Sequence, residues 1–157
     1  MIDYKAFLSL DRVAVVDELP SRKTALHQLA ELLATGNSQT PYREIFFKLQ
    51  ERERQGSTVL DDSSVAIPHC RIEGCPTPIG SLLKTRASHP VDFGGDEVRL
   101  MIGMCFPQDA TDEALEVLRL VVRLIEDEER LKQLLAADSS DVLFDVFSRG
   151  LLAETEA

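Results

Sequence analysis

Apolar residues recur along this chain with two periods, and each change of period marks a change of element. Val13-Ala14-Val15-Val16 is a continuous apolar run that predicts a brief buried strand. From Ser21 the spacing becomes helical. Leu26, Leu29, Ala30 and Leu33 share one face of a helix through about Ala34, with Ser21 as its cap and Gly36 as its stop. Thr40-Pro41 opens a second helix, a capping residue followed by proline in the first turn, with a stripe of Tyr42, Ile45, Phe46 and Leu49. Three strand candidates follow, at 65–67, 79–84 and 98–106. The last reads VRLMIGMCF, apolar on both alternating faces, which suits a central strand covered on both sides and ended by Pro107. Between the last two lies SHPVDFGGDE, read as a polar turn region. The chain then returns to helical spacing over 111–126, with Leu115, Leu118, Val122 and Ile125 on one face. Further helices are expected over about 128–136 and about 139–148, the last from an Asp138-Ser139 cap. The tail LLAETEA, from about 150, is expected to fray. Residues 2–10 fit either a short helix or an extended arm.

Helix-rich, strand-rich, helix-rich order predicts one α/β domain over 1–157 whose sheet is sandwiched by helices. Composition changes this picture little, since 44% hydrophobic and 28% charged residues are ordinary for a globular protein. Charge changes it more. A net charge of −10 argues against nucleic acid and anionic membranes and allows steering toward a basic protein partner. No apolar run approaches the roughly 20 residues needed to cross a bilayer. The start, MIDYKAFLSLDR, lacks the pattern of a secretory signal, and the odd count of three cysteines fits reduced thiols, so the expected location is cytoplasmic.

Candidate chemistry concentrates in ERERQGSTVLDDSSVAIPHCR, residues 51–71. His69 follows a short apolar strand, and Pro68 fixes one backbone dihedral so that the imidazole leaves in a defined direction. A neutral imidazole nitrogen is available near neutral pH to attack phosphorus. Gly56-Ser57-Thr58 offers backbone and hydroxyl donors for phosphate oxygens. At about 100° per residue, Arg52 falls almost above Ile45, which would project a phosphate-binding guanidinium along the buried face, while Arg54 should face water. These residues together outweigh the commoner role of a strand-end histidine, which is structural. His69, Cys70, Cys75 and Cys105 make a weak metal set, because no Cys-x-x-Cys pair exists and Cys70 should point away from His69. The cysteines are read instead as small buried hydrophobes. His27 and His89 are expected to be solvated. Asp61-Asp62 sits in the presumed active loop, where its charges would repel a phosphoryl group. No Walker loop, nucleophile elbow or dinucleotide fingerprint is present.

RERQGST followed by VAIPHCR resembles the enzyme IIA domains of the bacterial phosphotransferase system, mannitol/fructose type, nearest to the nitrogen-regulatory subgroup. The matching positions are Arg52, Glu53, Gly56, Ser57, Thr58, Ala66, Ile67, Pro68 and His69, and agreement continues through Pro90-Val91-Asp92-Phe93, Phe106-Pro107, Leu115 and Leu118. The resemblance implies a mixed sheet flanked by helices on both faces, with His69 in a shallow depression. It implies that His69 accepts a phosphoryl group from an HPr-like histidine phosphocarrier protein, that Arg52 stabilises the phosphorylated state, and that no metal or cofactor takes part. A free-standing chain of this kind would regulate a target protein. A sugar-transporting fructose or mannitol IIA is the runner-up, and a docking module without phosphotransfer is the rival from another class. Two departures from the family pattern stand out. The usual glycine-rich loop is here VLDDSSV, one residue longer and acidic. A second histidine that the family often carries after the central strand is here Ala114.

Overall fold

A computed structural model describes residues 3–35, 40–86 and 88–156. Gly36, the expected stop of the first long helix, lies outside the described residues. Asp3 caps a one-turn helix, α1 (Tyr4–Phe7), which a 3₁₀ turn at Leu10–Arg12 joins to β1 (Val13–Val16). The lead-in is therefore a short helix. Phe7 is buried, and Arg12 ties the segment down by donating from Nη2 to the carbonyls of Ala6 and Phe7 and from Nε to that of Gly80. Two helices follow, α2 (Arg22–Ala34) and α3 (Tyr42–Gln55). Ser21 caps α2 as expected. The start of α3 differs from expectation, because Pro41 itself occupies the cap position and Thr40 precedes it.

The strands are β2 (Val59–Leu60), β3 (Val65–Ala66), β4 (His69–Ile72), β5 (Ile79–Thr85), β6 (Val91–Phe93), β7 (Asp96–Val98) and β8 (Leu100–Pro107). The main sheet runs β1-β5-β8-β3-β2, and β4 continues beyond β3 along the same edge of β8. It is mixed: β1 is parallel to β5, β5 antiparallel to β8, and β3 and β4 both parallel to β8. β8 is the central strand that the VRLMIGMCF run predicted, shortened at its start. Its first two expected residues belong elsewhere, because Val98 ends a hairpin with β6. SHPVDFGGDE is thus more than a turn. Val91, Phe93 and Val98 are buried around Gly94-Gly95, whose φ values of +71° and +106° close the hairpin.

Alternation along β8 splits the interior in two. Leu100, Ile102, Met104 and Phe106 pack with Val65, Ile67 and Leu82 under α4 (Thr111–Glu126), α5 (Glu128–Ala136) and α6 (Ser140–Glu156). Met101 and Cys105 face the other way, with Ala66, Cys70, Ile72 and Leu83, against α2, α3 and the hairpin. Where Gly103 crosses this second face, an added Cβ would come within 2.7 Å of Ser81 Oγ and 3.0 Å of Leu29. The absence of a side chain there lets α2 approach the sheet. The tail expected to fray is helical instead, because Leu151 is buried beneath it and Gly150 lets Arg130 and Leu124 close in.

Candidate functional site

The site begins with a change of pairing at Pro68. Ile67 N–H donates outward to Thr58 O at 3.0 Å, while Pro68 O accepts from Met104 N–H at 2.9 Å. Proline has no N–H, so pairing with the outer strand stops and the next residues form an edge strand on β8 alone. His69 thus opens a strand rather than ending one. Its register neighbour is Met104, and that of Cys70 is Cys105. His69 and Arg71 face the α4 side, where the imidazole stands edge-on to Phe106 at 6.3 Å. Cys70 faces the opposite core, its Sγ 3.8 Å from that of Cys105.

His69 lies in a cavity of about 450 Å³ bounded by the end of α3, by β4 and by the start of α4. Lys48, Glu51 and Arg52 line it from α3, Arg71 from β4, and Phe106, Ala114, Leu115 and Leu118 form its apolar wall, so three cations face one carboxylate. His69 Nδ1 lies 2.8 Å from Ile67 O. A carbonyl can only accept, so Nδ1 carries the proton and Nε2 keeps its lone pair. Burial pulls the imidazole pKa below its usual value; the Ile67 hydrogen bond and the Glu53 carboxylate oppose this, and the charges of Arg52 and Arg71 reinforce it. His69 is therefore a neutral base at neutral pH, in a cationic depression of an acidic protein. That combination suits attack on an electrophile carrying negative charge.

Arg52 reaches this cavity by a route other than the one the spacing predicted. The buried line of α3 is Ile45, Leu49 and Glu53, while Tyr42 stays exposed. Rotating the stripe onto Glu53 moves Arg52 to the flank, half-buried, where Nη1 donates to Gly56 O at 2.9 Å. Arg54 is exposed, as expected. Gly56, Ser57 and Thr58 do not line the cavity. Gly56 ends α3 at φ +155°, a conformation open to glycine, and Ser57 Oγ accepts from Val59 N–H. Thr58 is buried, donating its hydroxyl to Glu53 Oε1 and its N–H to Glu53 Oε2. Its carbonyl is the one that holds Ile67.

A chain of hydrogen bonds thus runs from the Glu53 carboxylate through Thr58 and Ile67 to the imidazole. Sequence reading gave Glu53 no role beyond its match to a motif, although a carboxylate four residues beyond Leu49 on the buried line was a usable signal. It also passed over Arg71, which the strand period places on the face of His69. Asp61 and Asp62 point to a different place. With Leu60, Ser63, Val122, Ile125, Glu126 and Glu128 they border a separate cavity. Asp62 and Ser64 take left-handed conformations, at φ 57° and 60°, that turn the loop without glycine.

The remaining candidates lie elsewhere. All three cysteines are buried free thiols, and burial raises the Cys75 thiol to about 11. Among the described residues no group of three or more His, Cys, Asp or Glu side chains could hold a metal ion. His89 is exposed. His27, expected to be solvated, is only partly so, for it pairs with Glu31 at 2.8 Å and packs against the edges of Tyr42 and Phe46.

Residues 6–150 match the family model described as phosphoenolpyruvate-dependent sugar phosphotransferase system, EIIA 2. The chain belongs to this family. A nitrogen regulatory protein of Pseudomonas aeruginosa is 35% identical over 129 residues, covering 80% of this chain and 82% of that one. Among solved structures, the nitrogen regulatory protein IIA-Ntr of Neisseria meningitidis superposes with a TM-score of 0.79 at 29% identity, covering 89% of this chain and 95% of its own. The mannitol IIA of Escherichia coli has a TM-score of 0.68 at 19% identity, over 88% of this chain and 97% of its own, a likeness of fold. The mixed sheet with helices on both faces is accordingly the IIA fold. In this IIA chain Ala114 is buried in the wall of the His69 cavity, where a methyl group neither donates nor accepts a hydrogen bond. No described helix is long and apolar enough to cross a membrane.

Proposed function

We propose that this IIA protein is a cytoplasmic histidine phosphocarrier of the nitrogen-regulatory type. In this reading His69 takes a phosphoryl group from an HPr-like histidine phosphocarrier protein, and the loaded and unloaded forms act differently on a regulated target protein. The observation that carries it is the imidazole itself. It is neutral, with Nδ1 held by the Ile67 carbonyl and Nε2 unprotonated, in a cavity bordered by Lys48, Arg52 and Arg71.

The transfer balances without a metal or cofactor. The Nε2 lone pair forms a bond to phosphorus while the P–N bond of the donor phosphohistidine breaks, and that electron pair returns to the donor imidazole. His69 gives up no proton. The positive charge that develops on its ring is stabilised by the Nδ1–H···O=C bond. Arg52 offers parallel N–H donors to the transferring oxygens, and the Ile67 anchor holds Nε2 on one line of approach. Gly56, Ser57 and Thr58 act as the scaffold that holds Ile67. The rival docking module draws on the acidic loop and on Ala114; Asp61 and Asp62 border another cavity, whereas Ala114 does stand in the wall of the His69 cavity.

The test is incubation of the purified protein with a phosphorylated HPr-like donor, read by intact mass and compared with His69→Ala. One added phosphate on the wild type, absent from the variant, supports the reading. If the folded wild type takes none while another IIA domain in the same mixture does, the reading fails.

A further inference from the structure

The His69 cavity contains two cations without a part in the transfer just described, Lys48 on the same helix as Arg52 and Arg71 on a different element. Arg71 follows His69 by two residues on β4, so both side chains leave the same face of the strand. Their register partners, Met104 and Phe106, both belong to the core under α4, which fixes that face. From there Arg71 spans to α4, donating from Nη1 to Thr111 Oγ1 at 3.1 Å. Arg52 enters from α3 instead. The depression therefore carries a guanidinium from each of two elements, and the imidazole lines it with them.

We propose that Arg71 is a second phosphate-binding catalytic residue, held toward the cavity by Thr111 and acting together with Arg52. This rests on the phosphocarrier reading of His69. A phosphoryl group on nitrogen carries close to two negative charges, and one guanidinium neutralises only half of them. Arg52 already spends one of its five N–H donors on Gly56 O, and Arg71 spends one on Thr111, leaving four on each side. The α4 wall supplies no donor at Ala114, so on that side the phosphoryl oxygens would meet Arg71. The charge of Arg71 is also among those that disfavour protonation of His69, which places it within electrostatic reach of the ring.

The experiment follows the full chain after phosphorylation by the donor, with Arg71→Gln, Arg71→Lys, Thr111→Val and the remote control Arg149→Gln, whose side chain is 80% exposed on α6. Arg71→Gln is expected to slow phosphoryl acceptance and shorten the phosphohistidine lifetime by about tenfold. Arg71→Lys and Thr111→Val should lie between it and the wild type, with the control unchanged. In the unphosphorylated protein, Arg71→Gln should raise the pKa of the His69 ring followed by NMR. The titration reports only that the charge reaches the ring; a merely structural arginine would leave the phosphohistidine lifetime unchanged. Equal rates and lifetimes in Arg71→Gln and wild type overturn the proposal. Failure of the wild type to accept phosphate tells against His69 as carrier instead. Arg71 is then judged by the shift of the His69 resonances on adding inorganic phosphate. Loss of that shift in Arg71→Gln upholds a phosphate-binding role, and its persistence refutes it. Should Arg71→Gln unfold, Arg71→Lys is read alone, and a wild-type lifetime in a lysine variant that keeps its charge but loses the fork refutes the bidentate role.

Discussion

Two cavities of similar size border α4, about 450 Å³ at His69 and about 420 Å³ at Asp61-Asp62, and their chemistry is opposite. Their loops are close in sequence, yet the first gathers three cations, Lys48, Arg52 and Arg71, against the single carboxylate of Glu51, and the second holds Asp61, Asp62, Glu126 and Glu128. The difference lies in how each segment meets β8. Residues from Pro68 onward pair with it as an edge strand and turn alternate side chains into a depression between two helices. Residues 61–64 form a turn that reaches β8 only at Ser64 O, and their carboxylates border the other cavity. Adjacency in sequence therefore says little about which charges an imidazole meets. An acidic loop that looks fatal to phosphate binding can be irrelevant to it.

The comparison predicts a graded set of effects. The largest is His69→Ala, expected to abolish phosphoryl acceptance measured by intact mass. Arg52→Ala should slow transfer by about ten- to a hundredfold, read in rapid-quench time courses, because a charge-assisted donor at the reacting group is lost. If its rate matched the wild type, the cationic character of the cavity would lose its mechanistic meaning. Thr58→Val removes the hydroxyl that Glu53 accepts within a buried pair. It should cost about 1–3 kcal/mol in urea denaturation and loosen the anchor of Ile67. A variant as stable as the wild type would break the hydrogen-bond chain as an explanation of imidazole placement.

The next effect is pH-dependent. His69 is held below the ordinary imidazole value of 6.5, chiefly by burial, so the unfolded chain takes up a proton before the folded one. Stability should be unaffected by this group above 6.5, fall as pH drops below it, and level off under the folded value. His69→Gln should flatten that fall in urea midpoints measured across the range. The smallest effect is expected from Asp61→Asn with Asp62→Asn, which should leave transfer within about twofold, as for remote surface charges. A large acceleration would show that the two cavities are electrostatically coupled and would break the contrast itself.

Much of the fold was legible because its signals are local. The α2 stripe, the doubly apolar β8 run and the Ser21 and Ser139 caps needed no distant partner to be read, and Ser139 does cap α6 through Val142 N–H. The α4 stripe was read one face off: of Leu115, Leu118, Val122 and Ile125 only Ile125 is buried, Leu115 is 44% exposed, and the core face is Val117, Val121 and Leu124, because the helix is apolar over more of its girth than one layer of core can cover. Elements stabilised only by a distant partner were missed. The β6–β7 hairpin is three residues a side and depends on burying Val91, Phe93 and Val98 against α2 and its neighbours. The tail was expected to fray because its polar ending hides that Leu151 meets the α4–α6 core. Within the site, the His69 segment stood out through Pro68 and the matching motif. The helical wheel turned Arg52 onto the wrong face, because it ranked Tyr42 as buried and gave Glu53, four residues beyond Leu49, no place on the buried line.

By itself, then, the sequence determined the element order, the family and the segment that carries the imidazole. Period, caps and a contiguous motif are properties of neighbouring residues, and their physics is complete within a few turns of chain. Tertiary structure alone decided the rest. It selected the nitrogen that keeps its lone pair, turned the threonine hydroxyl to a buried glutamate, directed the aspartates to another cavity and assembled the cations around His69. Each of these depends on which face of an element is buried against which other element. That is fixed only when the sheet closes between its two layers of helices.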